Sequence, residues 1–199
     1  MNRFWRTIRQ GAIALGVAAI PFIIGFSGKA EARQIVTLEH QIPNGAIVVD
    51  HAGRQLFYSL GNGRAIRYRV AVGKRGFAWF GDTFVQTKRK NPGWSPTARM
   101  RRMGYPRYVP PGPRNPLGKR AIYLGWSEYR IHGTNAPRSI GSAASSGCFR
   151  MHNRDVVDLY ERVHIGAPVY VVRNMDDPKL KSIPGSNGAA QLARASSED

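Results

Sequence analysis

The chain has 199 residues, of which 42% are hydrophobic and 10% aromatic, so its composition excludes wholesale disorder and fits one folded domain with appendages. Its net charge of +18, from 30 Lys and Arg against 12 Asp and Glu, indicates an anionic partner such as nucleic acid, a membrane surface or a cell-wall polymer. The single cysteine, Cys148, excludes an intramolecular disulfide and any metal site built from several thiolates. It is either a buried apolar residue or a working thiol.

The first segment, residues 1–32, has the three parts of a secretory signal peptide. Three arginines precede an apolar run from Gly11 to Phe26, and A-E-A at 30–32 is a small-x-small cleavage pattern. The apolar run is interrupted by Pro21 and is shorter than the ~20 residues that span a bilayer. We therefore expect cleavage, a periplasmic location, and contact with the membrane through this segment alone. Export argues against nucleic acid as a partner and makes a free thiol more informative, since exported compartments are oxidising.

A folded domain is predicted over residues 45–173, and it begins with a series of short strands. Segments rich in β-branched and aromatic residues lie at 46–50, 55–60 and 66–72, and the polar segments between them are typical of hairpin turns. Alternation in the third segment predicts one buried face, made of Ile66, Tyr68, Val70 and Val72. Further strands are predicted at 83–88, 121–125, 129–132 and 168–173.

Residues 83–127 are basic and rich in proline. They contain ten Lys and Arg, no Asp or Glu, and seven of the 13 prolines. Part of this segment is predicted to form a long, proline-stiffened loop that also carries Trp94, Tyr105 and Tyr108. Two interpretations are open: a solvated surface loop, or the wall of a groove for a carboxylate-bearing substrate that packs against the aromatic rings. In the second, Trp94 contacts the substrate.

The residues most indicative of chemistry are His132 and Cys148, which are sixteen positions apart and each stand beside a glycine. A thiol reacts as its thiolate, and histidine is the usual base that takes a proton near neutral pH. His132 ends a predicted strand and Cys148 follows a loop of small residues, so the chain can bring the two side chains together. Gly147 allows backbone N–H groups to approach an oxyanion, and Arg150 can hold a carboxylate. The residues alone leave both a nucleophile and a small buried filler open.

One helix is predicted directly after this segment. Asn153 is the predicted N-cap, apolar residues recur at helical spacing up to Val163, and Gly166 is placed to end the helix. Residues 174–199 are poor in large apolar residues and are predicted to be a disordered tail. The predicted fold class is therefore mainly β, with one helix packed on the sheets and a long basic loop.

At the His132 and Cys148 segments the chain resembles the L,D-transpeptidase catalytic domain family, also called the YkuD domain. The family pattern is a histidine in an H-G-T setting followed later by S-x-G-C-[IVF]-R-[ML]-x-N. Here these motifs are H-G-T at 132–134 and S-S-G-C-F-R-M-H-N at 145–153. The similarity extends over residues 45–173 and includes N-P-L-G at 115–118 and A-I-Y-L-G at 121–125.

The resemblance implies a β-sandwich-like catalytic domain that acts on the stem peptides of peptidoglycan, with no metal and no organic cofactor. Cys148 would attack the carbonyl that precedes the terminal D-Ala of a tetrapeptide stem, release D-Ala and form a thioester. His132 would take the thiol proton, the N–H groups of Gly147 and Cys148 would receive the oxyanion, and Arg150 would help to bind the donor. Contacts with the substrate are further expected from Thr134, Ser145, Ser146 and Asn153.

An amine would then resolve the thioester. Its source would be a second stem peptide, giving a 3-3 cross-link, or an outer-membrane protein that becomes attached to the wall. Two alternatives stay open: an L,D-carboxypeptidase or hydrolase that uses water instead, and a non-catalytic wall-binding protein in which Cys148 is structural. The chain also departs from the family pattern twice. Ser146 stands where many members have histidine, and A-W-F-G at 78–81 replaces a frequent T-P-x-G turn, which alters the expected donor groove.

Overall fold

The structure is a computed structural model and describes residues 33–125 and 127–184. The predicted signal peptide at 1–32 and the chain beyond residue 184 lie outside the described residues. The strands are β1 (Arg33–Thr37), β2 (Ile47–Asp50), β3 (Gln55–Gly61), β4 (Arg64–Gly73), β5 (Gly81–Lys90), β6 (Arg120–Leu124), β7 (Arg130–His132), β8 (Ala143–Ser145), β9 (Phe149–Met151) and β10 (Pro168–Val172). The helices are α1 (Ala98–Arg102), α2 (Asn153–Arg162) and α3 (Lys179–Ser182), and a 3-10 turn lies at Pro137–Ser139.

The strands form one sheet in the order β1-β4-β3-β2-β10-β5-β6-β7-β9, and β9 also pairs with β4, which closes the sheet. Strands β2, β3 and β4 are consecutive and antiparallel, as the hairpin signals predict. The mainly β prediction is confirmed, and each predicted strand is present. Strands β1, β8 and β9 were not predicted, because two of them are three residues long and β1 precedes the predicted domain.

The main core lies between the closed sheet and α2. The predicted buried face of β4 is observed, since Ile66, Tyr68, Val70 and Val72 are at most 4% exposed. Helix α2 adds Val156 and Leu159 to the same apolar cluster. Each fully buried apolar side chain contributes roughly 1.5–3 kcal/mol, so this packing rather than any local propensity holds the short strands in place.

A second apolar cluster corrects the prediction of a disordered tail from residue 174. Helix α3 follows the last strand, and its Leu180 is 1% exposed. Leu180 and Ile183 pack with Val48, Phe57 and Val172. Two large apolar residues in a polar segment are therefore enough to anchor α3 to the domain.

Helix α2 begins one residue earlier than predicted. Its N-cap is His152, which makes no side-chain capping bond, and Asn153 is the first helical residue. Asn153 is therefore not the cap, because its amide is used between two loops, as described below. The helix ends at Arg162, and Gly166, with φ of 88°, turns the chain into β10.

The basic loop occupies residues 91–119, between β5 and β6. It contains the unpredicted helix α1, which Thr97 caps by accepting a hydrogen bond from the Met100 N–H at 3.3 Å. Trp94 and Val109 exchange backbone hydrogen bonds of 2.9 and 2.8 Å across the loop. Within the described residues, no helix combines the length and apolar character needed to cross a membrane.

Candidate active site

Parallel pairing of two short strands brings His132 and Cys148 together. His132 ends β7 and lies opposite Arg150 of β9, while Cys148 is the residue just before β9. Both side chains line one cavity of about 150 Å³. The fold therefore brings the two residues to one cavity, as the sequence predicts.

The imidazole of His132 is buried and held in one tautomer. The side chain is 4% exposed, and its Nδ1 lies 2.6 Å from the Gly133 carbonyl oxygen. The Gly133 carbonyl can only accept, so this contact favours the neutral tautomer with its proton on Nδ1 and a basic Nε2. Burial lowers the pKa of His132 to about 3, and the charges of Arg150 and Arg130 act in the same direction. The resting imidazole is thus neutral at ordinary pH.

The thiol of Cys148 is also neutral at rest. Burial raises the pKa of the Cys148 thiol above its usual value, and the nearby charge and hydrogen-bonding groups of Arg130 oppose that rise in part. The residue is half-buried, so a substrate can reach it through the cavity. A neutral thiol beside a neutral imidazole requires proton transfer during attack rather than a preformed ion pair.

The turn that carries Cys148 is held by Ser145. The buried Ser145 hydroxyl donates to the Cys148 carbonyl oxygen at 2.5 Å and accepts from the Gly147 N–H at 3.1 Å. The Gly147 N–H is therefore engaged within the turn, which corrects its predicted place as an oxyanion donor. Among the described residues, the Cys148 N–H has no hydrogen-bond acceptor.

Gly147 is needed for its backbone shape and for lack of a side chain. Its φ is 107°, a region that L side chains rarely adopt, and a Cβ there would lie 2.3 Å from Cε1 of Tyr129. The ring of Tyr129 is stacked in turn on Trp79, with centroids 4.8 Å apart. The turn is thus packed directly against an aromatic pair.

The other predicted site residues divide between two cavities. Ser145, Ser146, Arg150 and Trp94 line the cavity of Cys148 and His132. Thr134 and Asn153 instead line a separate cavity of about 490 Å³. Their contact with substrate stays a prediction, and the cavity in which they would make it is not the one that Cys148 lines.

Asn153 joins the histidine segment to the end of the basic loop. Its Oδ1 accepts from the N–H groups of Lys119 and Thr134 at 3.0 and 3.2 Å, and its amide donates to the Thr134 carbonyl at 2.9 Å. Gly133 permits this approach, because a Cβ on that residue would lie 2.2 Å from the same Oδ1. Hydrogen bonds between Asn153 and Thr134 thus join the H-G-T motif to the asparagine that ends the cysteine motif.

Arg130 is a site residue that the sequence interpretation missed. It lines the cavity, and its guanidinium lies over the ring of Tyr123 at 5.2 Å. Side chains alternate along a strand, so Arg130 and His132 of β7 share a face, and that spacing could have identified it. Within the described part of the chain, no group of three His, Cys, Asp or Glu side chains could hold a metal ion.

The basic loop forms the opposite wall of the cavity. Trp94, Met100 and Leu117 of the loop line the same cavity as His132 and Cys148. Part of this segment thus forms a cavity wall, and binding of a carboxylate-bearing substrate there stays a prediction. Its arginines at 99, 101 and 102 are exposed.

Residues 44–171 match the family model of the L,D-transpeptidase catalytic domain. The chain belongs to this family, and the resemblance in its His132 and Cys148 motifs is confirmed.

Two relatives that are similar to this chain also carry the name L,D-transpeptidase. The chain is 35% identical over 155 residues to "Probable L,D-transpeptidase YbiS" of Escherichia coli, a match covering 73% of this chain and 49% of that protein. It is 32% identical over 193 residues to a putative L,D-transpeptidase of Fuscovulum blasticum, covering 82% of this chain and 97% of that protein. The chain thus spans about half the length of YbiS.

Solved structures show the same fold. The solution structure of the catalytic domain of Enterococcus faecium L,D-transpeptidase acylated by ertapenem has a TM-score of 0.52 and 20% identity, covering 66% of this chain and 98% of that chain. An L,D-transpeptidase 3 from Mycobacterium tuberculosis has a TM-score of 0.51 and covers 65% of this chain and 61% of that one.

Proposed function

We propose that this protein is a peptidoglycan L,D-transpeptidase that uses Cys148 as its nucleophile. The observation that carries the proposal is a thiol and a buried, neutral imidazole on one cavity within the fold of this family. The donor is a tetrapeptide stem, and the acceptor is an amine. No step in this reaction needs a metal or an organic cofactor.

In the first half-reaction, Cys148 Sγ attacks the carbonyl carbon before the terminal D-Ala. The thiol proton passes to Nε2 of His132, and the carbonyl π electrons move to the oxygen, which the Cys148 N–H stabilises. When the carbonyl re-forms, the C–N bond breaks and the proton on His132 passes to the leaving amine. D-Ala departs and the stem remains as a thioester on Sγ.

In the second half-reaction, the acceptor amine attacks the thioester carbonyl and loses a proton to His132. The C–S bond breaks, and the thiol is restored as the amide forms. Thioesters react with amines more readily than oxygen esters do, so a cysteine suits transfer. The acceptor is a second stem peptide or an outer-membrane protein. Arg150 and Arg130, both on the cavity, supply positive charge for the carboxylates of the donor.

Mass spectrometry with ertapenem tests the nucleophile. The thiol opens the β-lactam, the C–N bond breaks, and the whole molecule stays attached, so wild-type protein should gain the mass of one ertapenem. The variant Cys148→Ala should gain none. A wild-type protein without an adduct would contradict the proposal and favour the non-catalytic wall-binding alternative.

A second experiment separates transfer from hydrolysis. Purified disaccharide tetrapeptide is incubated with the enzyme, and the products are analysed by mass spectrometry. Cross-linked dimers with loss of D-Ala are expected from transfer. Tripeptide without dimer would identify the L,D-carboxypeptidase alternative instead. Adding a candidate outer-membrane protein then distinguishes attachment to protein from 3-3 cross-linking.

We further propose that residues 1–32 are a signal peptide and that the protein acts in the periplasm. The support is the three-part pattern of this segment, in which three arginines precede an apolar run and A-E-A stands at 30–32. Protein recovered from the periplasm should begin at Arg33 by N-terminal sequencing. A protein retained in the cytoplasm with Met1 intact would contradict this.

A further inference from the structure

Trp79 makes a hydrogen bond to the peptide group between Gly147 and Cys148. The indole Nε1–H donates to the Gly147 carbonyl oxygen at 2.9 Å. The same indole is stacked on Tyr129 with an angle of 8° between the rings, and it contacts Phe149 at 5.6 Å between centroids. Trp79 is thus fixed on two sides by aromatic rings before it makes its hydrogen bond.

The geometry of a peptide unit links this bond to the reacting atoms. The C=O of Gly147 and the N–H of Cys148 belong to one peptide group, which is trans, as are the other peptide bonds of the described residues. In a trans peptide these two bonds point in opposite directions. Because the Gly147 carbonyl is directed at Trp79, the Cys148 N–H points away from the indole. Trp79 is not among the described residues that line the Cys148 cavity.

Ser145 fixes the neighbouring peptide groups but not this one. Its hydroxyl binds the Gly147 N–H, which belongs to the preceding peptide, and the Cys148 carbonyl, which belongs to the following one. Gly147 has φ of 107° and the freedom of glycine, so the central peptide needs a separate constraint against rotation. The Trp79 hydrogen bond supplies that constraint.

We propose that Trp79 is a positioning residue that orients the Cys148 N–H as the oxyanion donor of the acyl transfer. The inference rests on the proposed function, because an oxyanion forms only if Cys148 attacks a carbonyl. Trp79 is not among the described residues that line the Cys148 cavity, and it acts through the Gly147 carbonyl. It lies in the A-W-F-G segment, so the departure from the frequent family turn carries a specific role in this chain.

Two reactions of the same thiol test the proposal. Acylation by ertapenem passes through a tetrahedral oxyanion, whereas alkylation by iodoacetamide forms the S–C bond as iodide leaves and develops no oxyanion. Trp79→Phe keeps an aromatic ring on Tyr129 but removes the N–H. We expect acylation to slow by about tenfold or more, up to the ~10²–10³ that loss of a donor costs, while alkylation changes less than about twofold.

A second variant protects the test against misfolding. Replacing Trp79 by benzothienylalanine keeps the shape and the stacking of the indole and lacks only the N–H, and it should show the same split between the two reactions. Phe80→Leu is the control from the same segment, since its ring faces His51 and Arg173, and it should leave both rates unchanged.

The outcomes separate the two proposals. Equal slowing of acylation and alkylation, or no change in acylation by either Trp79 replacement, would overturn the positioning role. Absence of any ertapenem adduct on the wild-type protein would instead overturn the proposed function itself. Normal acylation by wild type with the expected split in the variants supports both.

Discussion

The two walls of the Cys148 cavity are held in different ways. The wall made of the 145–148 turn with strands β7 and β9 is fixed by side-chain hydrogen bonds at successive peptide groups. The wall made of the basic loop, residues 91–119, depends on a few anchors such as Asn115, and the arginines between them are exposed. Reacting groups tolerate misplacement much less than binding groups do, so we expect the first wall to set the rate and the second to set substrate affinity.

The largest effect is expected on the fixed wall, at the base. His132→Gln removes the basic nitrogen but keeps an amide that can donate to the Gly133 carbonyl. Acylation by ertapenem at about pH 7 should fall by roughly 10²–10⁴, because the neutral thiol then lacks a proton acceptor. His164→Gln, at an exposed position, is the control. Acylation at the wild-type rate in His132→Gln would remove this residue from the role of base.

The turn itself gives the next largest effect. Ser145→Ala leaves the Gly147 N–H and the Cys148 carbonyl without their partner, which should lower the free energy of unfolding by about 2–3 kcal/mol. Urea unfolding measures this change, and the maximal acylation rate should fall with it. Ser146→Ala, at the exposed neighbouring position, should change stability by less than about 0.5 kcal/mol. Equal stabilities of the two variants would show that the turn is not held by Ser145.

Burial of the imidazole predicts a dependence of stability on pH. The pKa of His132 is about 3 in the folded protein and 6.5 for the free side chain, so between these values the unfolded state binds more protons. Stability is therefore lost as the pH falls through this range. Between pH 7 and pH 5, wild type should lose about 2 kcal/mol more than His132→Gln in urea unfolding. Parallel losses in the two proteins would contradict a buried neutral imidazole.

The smallest effect is expected on the loop wall, and on binding rather than rate. The Asn115 amide donates to the carbonyls of Pro92, Val109 and Pro110, at 3.0 Å each. Asn115→Ala should loosen the loop and raise the half-saturating ertapenem concentration by about tenfold, with the maximal acylation rate nearly unchanged. Asn135→Ala, which loses one exposed bond to Arg114, is the control. If Asn115→Ala lowered only the maximal acylation rate, the expectation that the loop wall sets affinity and the turn wall sets rate would be wrong.

The parts of the fold that repeat a pattern could be predicted from sequence. Strand β4 has large apolar residues at every second position from Ile66 to Val72, and the pair of His132 and Cys148 stands in two recognisable motifs. Strand β9, with three residues, carries no period of its own and exists because β4 and β7 flank it. Its placement needs the whole sheet, which no local pattern encodes.

Short polar side chains are the hardest to assign from sequence. Asn153 has the side chain of a good N-cap, and Thr134 and Ser145 have those of substrate-binding residues, and in the structure each of them joins loops or holds a turn. A short polar side chain can serve any of these purposes, and its tertiary neighbours decide which. Arg130 was missed although its signal is local, since the alternation of β7 places it on the same face as His132.

Closure of the sheet sets when the thiol becomes reactive during folding. The seam pairs Val70 with Met151, and the N–H of Lys74 binds the Ser145 carbonyl beside it. Such contacts between distant parts of the chain form slowly, because the loss of chain entropy comes before the gain in contacts. The early hairpin of β3 and β4 can form first, but the nucleophile turn needs the seam. The acyl transfer proposed for this chain would therefore become possible only at the last stage of folding.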